Sequence, residues 1–155
     1  EWNVFGIEGL TFAPTLYYTM TEGISETFEK LNETTGTNIR NATASHGNNN
    51  HIQADVLLSY SKKIKKNNIS AVAGASYTRD NSFAMSASGS GAATDLIPTL
   101  NATADSTQRA STTRGQEAML SYFGRVSYSY ADKYIASVSM RADGSSRFAK
   151  NNRWG

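Results

Sequence analysis

The feature that most constrains this chain is a period of two that runs from Ala118 to Asp143 and breaks once. Ala118, Leu120, Tyr122, Gly124, Val126, Tyr128 and Tyr130 are apolar, aromatic or small; the intervening Ser121, Arg125, Ser127 and Ser129 are polar, with Phe123 the exception. After Ala131-Asp132-Lys133 the alternation resumes. Tyr134, Ala136, Val138, Met140 and Ala142 fall on one face and Ser137, Ser139, Arg141 and Asp143 on the other, with Ile135 out of step. Successive side chains of a strand point to opposite sides of its sheet, so each run specifies a strand with one apolar and one polar face. Two such runs around a three-residue turn predict an antiparallel hairpin. The register follows as well. The apolar faces coincide only when paired residue numbers add to an even value, as for Tyr130 with Tyr134 and Val126 with Val138. A one-residue slip would set Val126 against polar Ser137.

Each strand is a little over ten residues, long for a globular sheet and suited to a tilted bilayer crossing. Tyr128, Tyr130 and Tyr134 cluster beside the turn. A phenol has an apolar body and a polar tip, so such a cluster fits an aromatic girdle at a membrane interface. Alternation alone leaves two architectures open, an outer-membrane barrel and a soluble β-sandwich.

The run Tyr122-Phe123-Gly124-Arg125-Val126-Ser127-Tyr128 is followed by Asp132-Lys133-Tyr134. Then come Arg141-Ala142-Asp143-Gly144-Ser145-Ser146-Arg147-Phe148 and Asn151-Asn152-Arg153-Trp154-Gly155. The whole string resembles the barrel of SusC/RagA-type TonB-linked outer-membrane transporters; Asp143-Gly144-Ser145-Ser146 alone would be a weak signal. Ala142 stands where that family often has a second basic residue, and it suits the apolar face. Ile7-Glu8-Gly9-Leu10-Thr11-Phe12 is similar to a turn of the same family. The resemblance implies a large single-chain barrel plugged by an N-terminal domain and energised through TonB. It also implies a SusD-like surface lipoprotein partner that helps capture glycans or peptides. On that reading residues 1–155 are a partial barrel domain in the outer membrane, with the plug, the TonB-contacting region and the remaining strands elsewhere. Glu1 is not an initiator methionine and Gly155 falls inside the motif, so a piece of a longer protein is expected. Six strands alone would leave two open edges, which a membrane does not tolerate.

Composition fits this reading without requiring it. Net charge is +2, too mild to argue for a nucleic-acid partner, and the absence of cysteine excludes disulfides and thiol chemistry. No apolar run approaches the roughly 18 residues of a membrane helix. The mean hydropathy of −0.46 is no obstacle, because a barrel strand gives only alternate residues to lipid.

Elsewhere, residues 2–7 and 10–20 read as strands around Glu8-Gly9, with Gly9 supplying a positive φ and Pro14 introducing an irregularity. Residues 21–50 read as a polar loop in which Ile24, Phe28 and Leu31 have the spacing of a short amphipathic helix. Alternation returns over 51–61 and 68–80, and pairing Lys62 with Asn67 leaves a four-residue loop between them. Residues 86–115, rich in Ser, Ala, Thr and Gly, read as a long flexible loop. Short turns near 8–9, 62–67 and 131–133 then alternate with long connections at 21–50, 84–116 and from 143 onward. Outer-membrane barrels have this asymmetry, with short turns periplasmic and long loops extracellular. The expectation is an all-β antiparallel meander of six strands near 2–7, 10–20, 51–61, 68–80, 117–130 and 133–143. Val56, Leu58, Ala73, Val126, Val138 and Met140 would face lipid.

No catalytic constellation is present, and neither a cofactor nor a metal is expected. The acids Glu22, Glu26, Glu29 and Glu33 read as a solvated face rather than a calcium site. His46 and His51 lack cysteine or fixed-spacing carboxylate partners for zinc. The lysines at 62, 63, 65 and 66 read as a solvated turn. Gly89-Ser90-Gly91 lacks the lysine and the βα setting of a phosphate loop. Asp143 with Arg141 and Arg147 reads as a structural cluster where strand meets loop, with Gly144 making the bend. Asp55, Arg125, Arg141 and Asp143 are the lumen-facing candidates, Arg125 lying opposite Ser139 and diagonal to Arg141. The competing classes are a porin without TonB coupling, which would lack a plug, and a soluble all-β binding module, which would fold without lipid or detergent.

Overall fold

The computed structural model describes residues 2–3, 6–31 and 39–155, with backbone only for Trp2, Asn3 and Lys150. The strands are β1 (Trp2–Asn3), β2 (Leu10–Glu29), β3 (Asn41–Ile64), β4 (Asn67–Ser90), β5 (Arg109–Tyr130) and β6 (Tyr134–Ser145). They form one six-stranded sheet in sequence order, each strand beside its chain neighbour, as the meander requires. The expected strand 2–7 is partly outside the described residues: Trp2 and Asn3 pair with Phe12 and Thr11, and Gly6 already lies in the turn.

The β5–β6 hairpin has the register that its alternation dictates. Tyr130 pairs with Tyr134, Val126 with Val138, and Arg125 with Ser139. Its turn is Ala131-Asp132-Lys133, with Ala131 at φ 53° and Asp132 at φ 57°, closed by the Lys133 N–H donating to Tyr130 O at 3.1 Å. Gly9 is fixed twice over. Its φ is +86°, and an added Cβ would lie 2.0 Å from the Ser61 carbonyl oxygen, so only glycine fits where β3 passes. The Ser61 N–H donates to Gly9 O at 2.8 Å across the same approach.

Other expectations need correction. Residues 24–29 are strand, not helix, because β2 runs unbroken to Glu29 through Pro14 as well. The described part of β1 reaches only Thr11 and Phe12, so Pro14 has no described partner on that side to claim an N–H. β3 begins at Asn41, so 21–29 and 41–50 of the loop expected over 21–50 are strand, and 32–38 lie outside the described residues. β4 reaches Ser90 and β5 begins at Arg109, so the connection expected over 84–116 is residues 91–108. The β3–β4 turn is Lys65-Lys66 alone, two residues rather than four, with Lys65 at φ 54°. Gly144 is inside β6 and makes no bend. It is small because the Trp154 ring lies 3.0 Å from where its Cβ would stand. Nor is the connection after 143 long. The chain reverses over 146–152 and pairs with β6 again, through reciprocal Asp143–Gly155 backbone bonds of 2.8 and 3.0 Å and Ser145 N–H to Arg153 O at 2.9 Å.

The residues group into two compact units. The first holds 1–18, 51–80 and 117–155; the second holds 19–50 and 81–116. In the first, one face is exposed and apolar and the other is polar and partly covered: Val126 is 48% exposed and Ser121 1%. In the second, the connection 91–108 is tied down rather than flexible. Arg40 Nε donates to Asp95 at 2.7 Å, and Arg40 Nη1 to Ala92 O at 3.2 Å. The Ser90 N–H donates to Thr107 Oγ1 at 2.9 Å, and Thr103 is buried against Gly89, where a Cβ would meet Thr103 Oγ1 at 2.2 Å. Among the described residues only Ala42 and Ala92 are buried apolar side chains. Among the described residues the apolar side chains of the first unit are mostly exposed, so hydrophobic burial within the chain contributes little there.

Candidate functional site

The polar face of the first unit gathers most of the charged groups singled out in the sequence. Pairing across the sheet defines that face. In the β5–β6 register Ser121 faces Asp143, Phe123 faces Arg141, and Arg125 faces Ser139. A Cβ on Gly74 would meet the Phe123 ring at 2.5 Å, which puts the even residues of β4 on the same side. The Ser76 hydroxyl donates to Asp55, which brings in the odd residues of β3. Asp55, Arg125, Arg141 and Asp143 therefore share one face, as expected from their parity.

They are not equivalent. Asp55 also accepts from Gln53 Nε2 at 2.7 Å, so its carboxylate is held from two sides. Arg141 Nε reaches both oxygens of Asp143 at 2.9 Å. Arg125 has no ion-pair partner among the described residues and is exposed. Arg147 does not join Asp143, as the sequence reading had it; it pairs with Glu117 instead. That carboxylate raises the guanidinium pKa, and Asp80 adds to the effect, so Arg147 stays charged at any ordinary pH.

Asp80, Glu117 and Arg147 line a cavity of about 220 Å³ with Thr78, Met119 and Ser145. His51 Nδ1 lies 2.7 Å from Asp80, and its ring meets the Tyr17 ring edge-on at 6.1 Å. The sequence reading missed this group, because its members come from four separate stretches. The available signal was parity: His51, Asp80 and Glu117 lie on the polar faces of their strands.

His46 is kept apart from His51. Five residues apart on one strand, they point to opposite faces. His46 sits 3.6 Å from Glu22 and beside the Phe83 ring, over which the Arg114 guanidinium lies at 5.0 Å. The motif residues Gly144 to Phe148 serve the reversal that follows β6: Ser146 Oγ accepts from the Ala118 N–H at 2.9 Å, and the Phe148 N–H donates to Ser145 O at 3.4 Å. Trp154 then stacks on Tyr122, with ring centroids 6.0 Å apart and planes 16° apart.

No protein-family profile matches the chain. It is 32% identical over 114 residues, 73% of its length, to TonB-dependent receptor P3 of Formosa agariphila. It is 52% identical over 40 residues to TonB-dependent receptor SusC of Bacteroides thetaiotaomicron. The chain spans only 11% and 4% of these two relatives. Among solved structures it is similar to the RagAB peptide transporter, with a TM-score of 0.87 and 24% identity over 97% of this chain and 17% of that one. The closed-closed state of the RagAB peptide importer gives a TM-score of 0.86 at 25% identity over 96% of this chain and 17% of that one.

Proposed function

The chain belongs to the SusC/RagA-type family of TonB-dependent receptors, and from that premise we propose that its sheet is one arc of an outer-membrane barrel wall through which oligosaccharide or peptide is imported. The observation that carries this reading is the single sheet whose apolar face in the first unit is exposed among the described residues. Val56, Leu58, Ala73, Val126, Val138 and Met140 would meet lipid, and Asp55, Arg125, Arg141 and Asp143 would line the lumen or meet a plug. A tilted strand needs about 9–11 residues to cross the hydrocarbon core. Strands β2 to β5 have 20, 24, 24 and 22 residues, so about half of each would stand outside it. The tight turns would be periplasmic and the connections 30–40 and 91–108 extracellular.

The rest of the import machinery is part of the proposal: a plug and TonB-contacting region in the complete receptor, and a SusD-like lipoprotein over the extracellular end. The likeness to the RagAB peptide importer supports a peptide cargo. This segment contributes wall and loop. Its polar face carries paired charges and hydroxyls, which suit a hydrated channel, and no step of covalent chemistry is assigned to it.

The test is to replace residues 92–107 by a two-residue turn in the complete receptor. Membrane insertion should persist, because the connection buries little beyond Ala92 and Thr103. Uptake, or association with the lipoprotein, should fall. Loss of insertion by this variant, with the parent inserting normally, would make the connection structural and overturn its assigned role.

A further inference from the structure

The apolar face of the first unit is grooved. Ala71, Ala73 and Gly124 form the floor, Leu58 and Tyr60 rise from β3, and Val138 and Met140 rise from β6; the space between is about 340 Å³. Packing does not demand that low floor. A Cβ on Gly124 would meet nothing nearer than the Val72 carbonyl oxygen at 3.7 Å. Lys62 follows Leu58 and Tyr60 on the same face of β3, at two-residue steps. The tight turns of this unit carry Lys62, Lys63, Lys65, Lys66 and Lys133 against only Glu8 and Asp132. Lys62 lies 3.9 Å from Glu8 and Lys63 3.7 Å from Asp132, both loose pairs. Lys65, Lys66 and Lys133 have no ion pair among the described residues. The Tyr128 hydroxyl is committed to Asn67 Oδ1 at 2.6 Å.

An apolar slot leading to a cluster of ammonium groups in excess of carboxylates, two loosely paired and three without an ion pair among the described residues, is complementary to a molecule with a long apolar tail and an anionic head. We propose that the groove and the lysine turns seat one glycerophospholipid with an anionic head group. An acyl chain lies over Ala71, Ala73 and Gly124, and the phosphate sits against Lys62 and the turn lysines. The site rests on the reading that this face meets lipid.

The experiment uses the complete receptor in bilayers containing spin-labelled phosphatidylglycerol or spin-labelled phosphatidylcholine, and reads the motionally restricted fraction of each. The unaltered receptor should restrict phosphatidylglycerol several-fold more. Changing Lys62, Lys65 and Lys66 together to Gln should bring that ratio close to one, since it removes most of the positive charge that favours an anionic head group. Gly124→Leu, which fills the slot, should lower the restricted fraction of phosphatidylglycerol while heat-modifiability on gels shows the barrel still folded. A ratio of one in the unaltered receptor, or a ratio unmoved by both variants, overturns the site. Loss of self-association in Gly124→Leu with no change in lipid selectivity would overturn it in favour of a second barrel as occupant. A bromolipid-quenching control separates the underlying reading: a fluorophore on Val126→Cys that bromolipid does not quench overturns the lipid-facing assignment itself, and quenching without head-group selectivity overturns only the site.

Discussion

Strand residues 51–64 and strand residues 41–50 belong to one continuous element, yet they obey different rules. In the first unit apolar side chains, large on β3 and β5 and mostly small on β4, keep step on one face, and polar and charged groups occupy the other. In the second unit Ser and Thr recur on one face, while on the other Met20, Ile24, Phe83 and Met85 are interrupted by Glu22, His46 and Arg114. Both regions satisfy their backbones through the same ladder. The contrast teaches that a paired strand needs neighbours, whereas an alternating strand also needs an apolar medium against one side. Alternation marks where lipid is expected, not where the strand ends.

The sharpest way to break that comparison is an arginine scan. Val126→Arg or Val138→Arg should destabilise the complete receptor in lipid vesicles by about 2–4 kcal/mol, and Ser127→Arg or Ser139→Arg by much less. Equal losses in denaturant titrations would mean that the first unit has no lipid-facing side. Arginine at Thr112 or Ala44, in the second unit, should also be mild if those strands stand clear of the hydrocarbon.

A smaller effect tests the turns. Gly9→Ala forces a side chain into a positive φ and against Ser61, and should cost about 1–3 kcal/mol with a lower folded yield on gels. Gly23→Ala, where an added Cβ meets nothing within 4 Å, should be close to neutral. If the two behaved alike, the close approach of β3 to Gly9 would not be a constraint.

The mildest change concerns the connection 91–108. Arg40→Ala should leave the unfolding midpoint of the first unit unchanged and speed amide exchange near Ala92 to Asp95. The same anchor predicts a pH effect. The Arg40 guanidinium holds the Asp95 carboxyl below its usual pKa. The contribution is therefore complete above the ordinary carboxylate range and is lost as pH falls through the lowered folded-state value. Exchange in 92–95 should rise in that acidic window in the parent and show no such step in Arg40→Ala.

These contrasts also explain what could be read from the residues. The β5–β6 register was legible to the residue, because Val126 and Val138 leave only one parity. The single sheet in sequence order followed from the same alternation and the spacing of the turns. The far parts of β2 to β5, residues 21–29, 41–50, 81–90 and 109–116, were not legible. Thr21, Ser25, Thr27 and their neighbours have the composition of a loop, and their strand state comes from the ladders beside them. The anchoring of 91–108 was hidden for a related reason. Arg40 and Asp95 are 55 residues apart, and nothing local announces that they meet. Of the polar face, the parity of Asp55, Arg125, Arg141 and Asp143 was readable. The choice of Glu117 over Asp143 as the partner of Arg147 depended on where the chain reverses after Ser145.

Turns of two and three residues at Lys65-Lys66 and Ala131-Lys133 leave no slack between strands. An inserted residue inside β4 or β5 must therefore be bulged out on the spot, or it inverts every side chain between it and the next turn. The connections 30–40 and 91–108 impose no such parity. Lineages of this wall should accordingly record their history unevenly. Length changes should accumulate at those two connections, and any indel tolerated near the tight turns should come in steps of two.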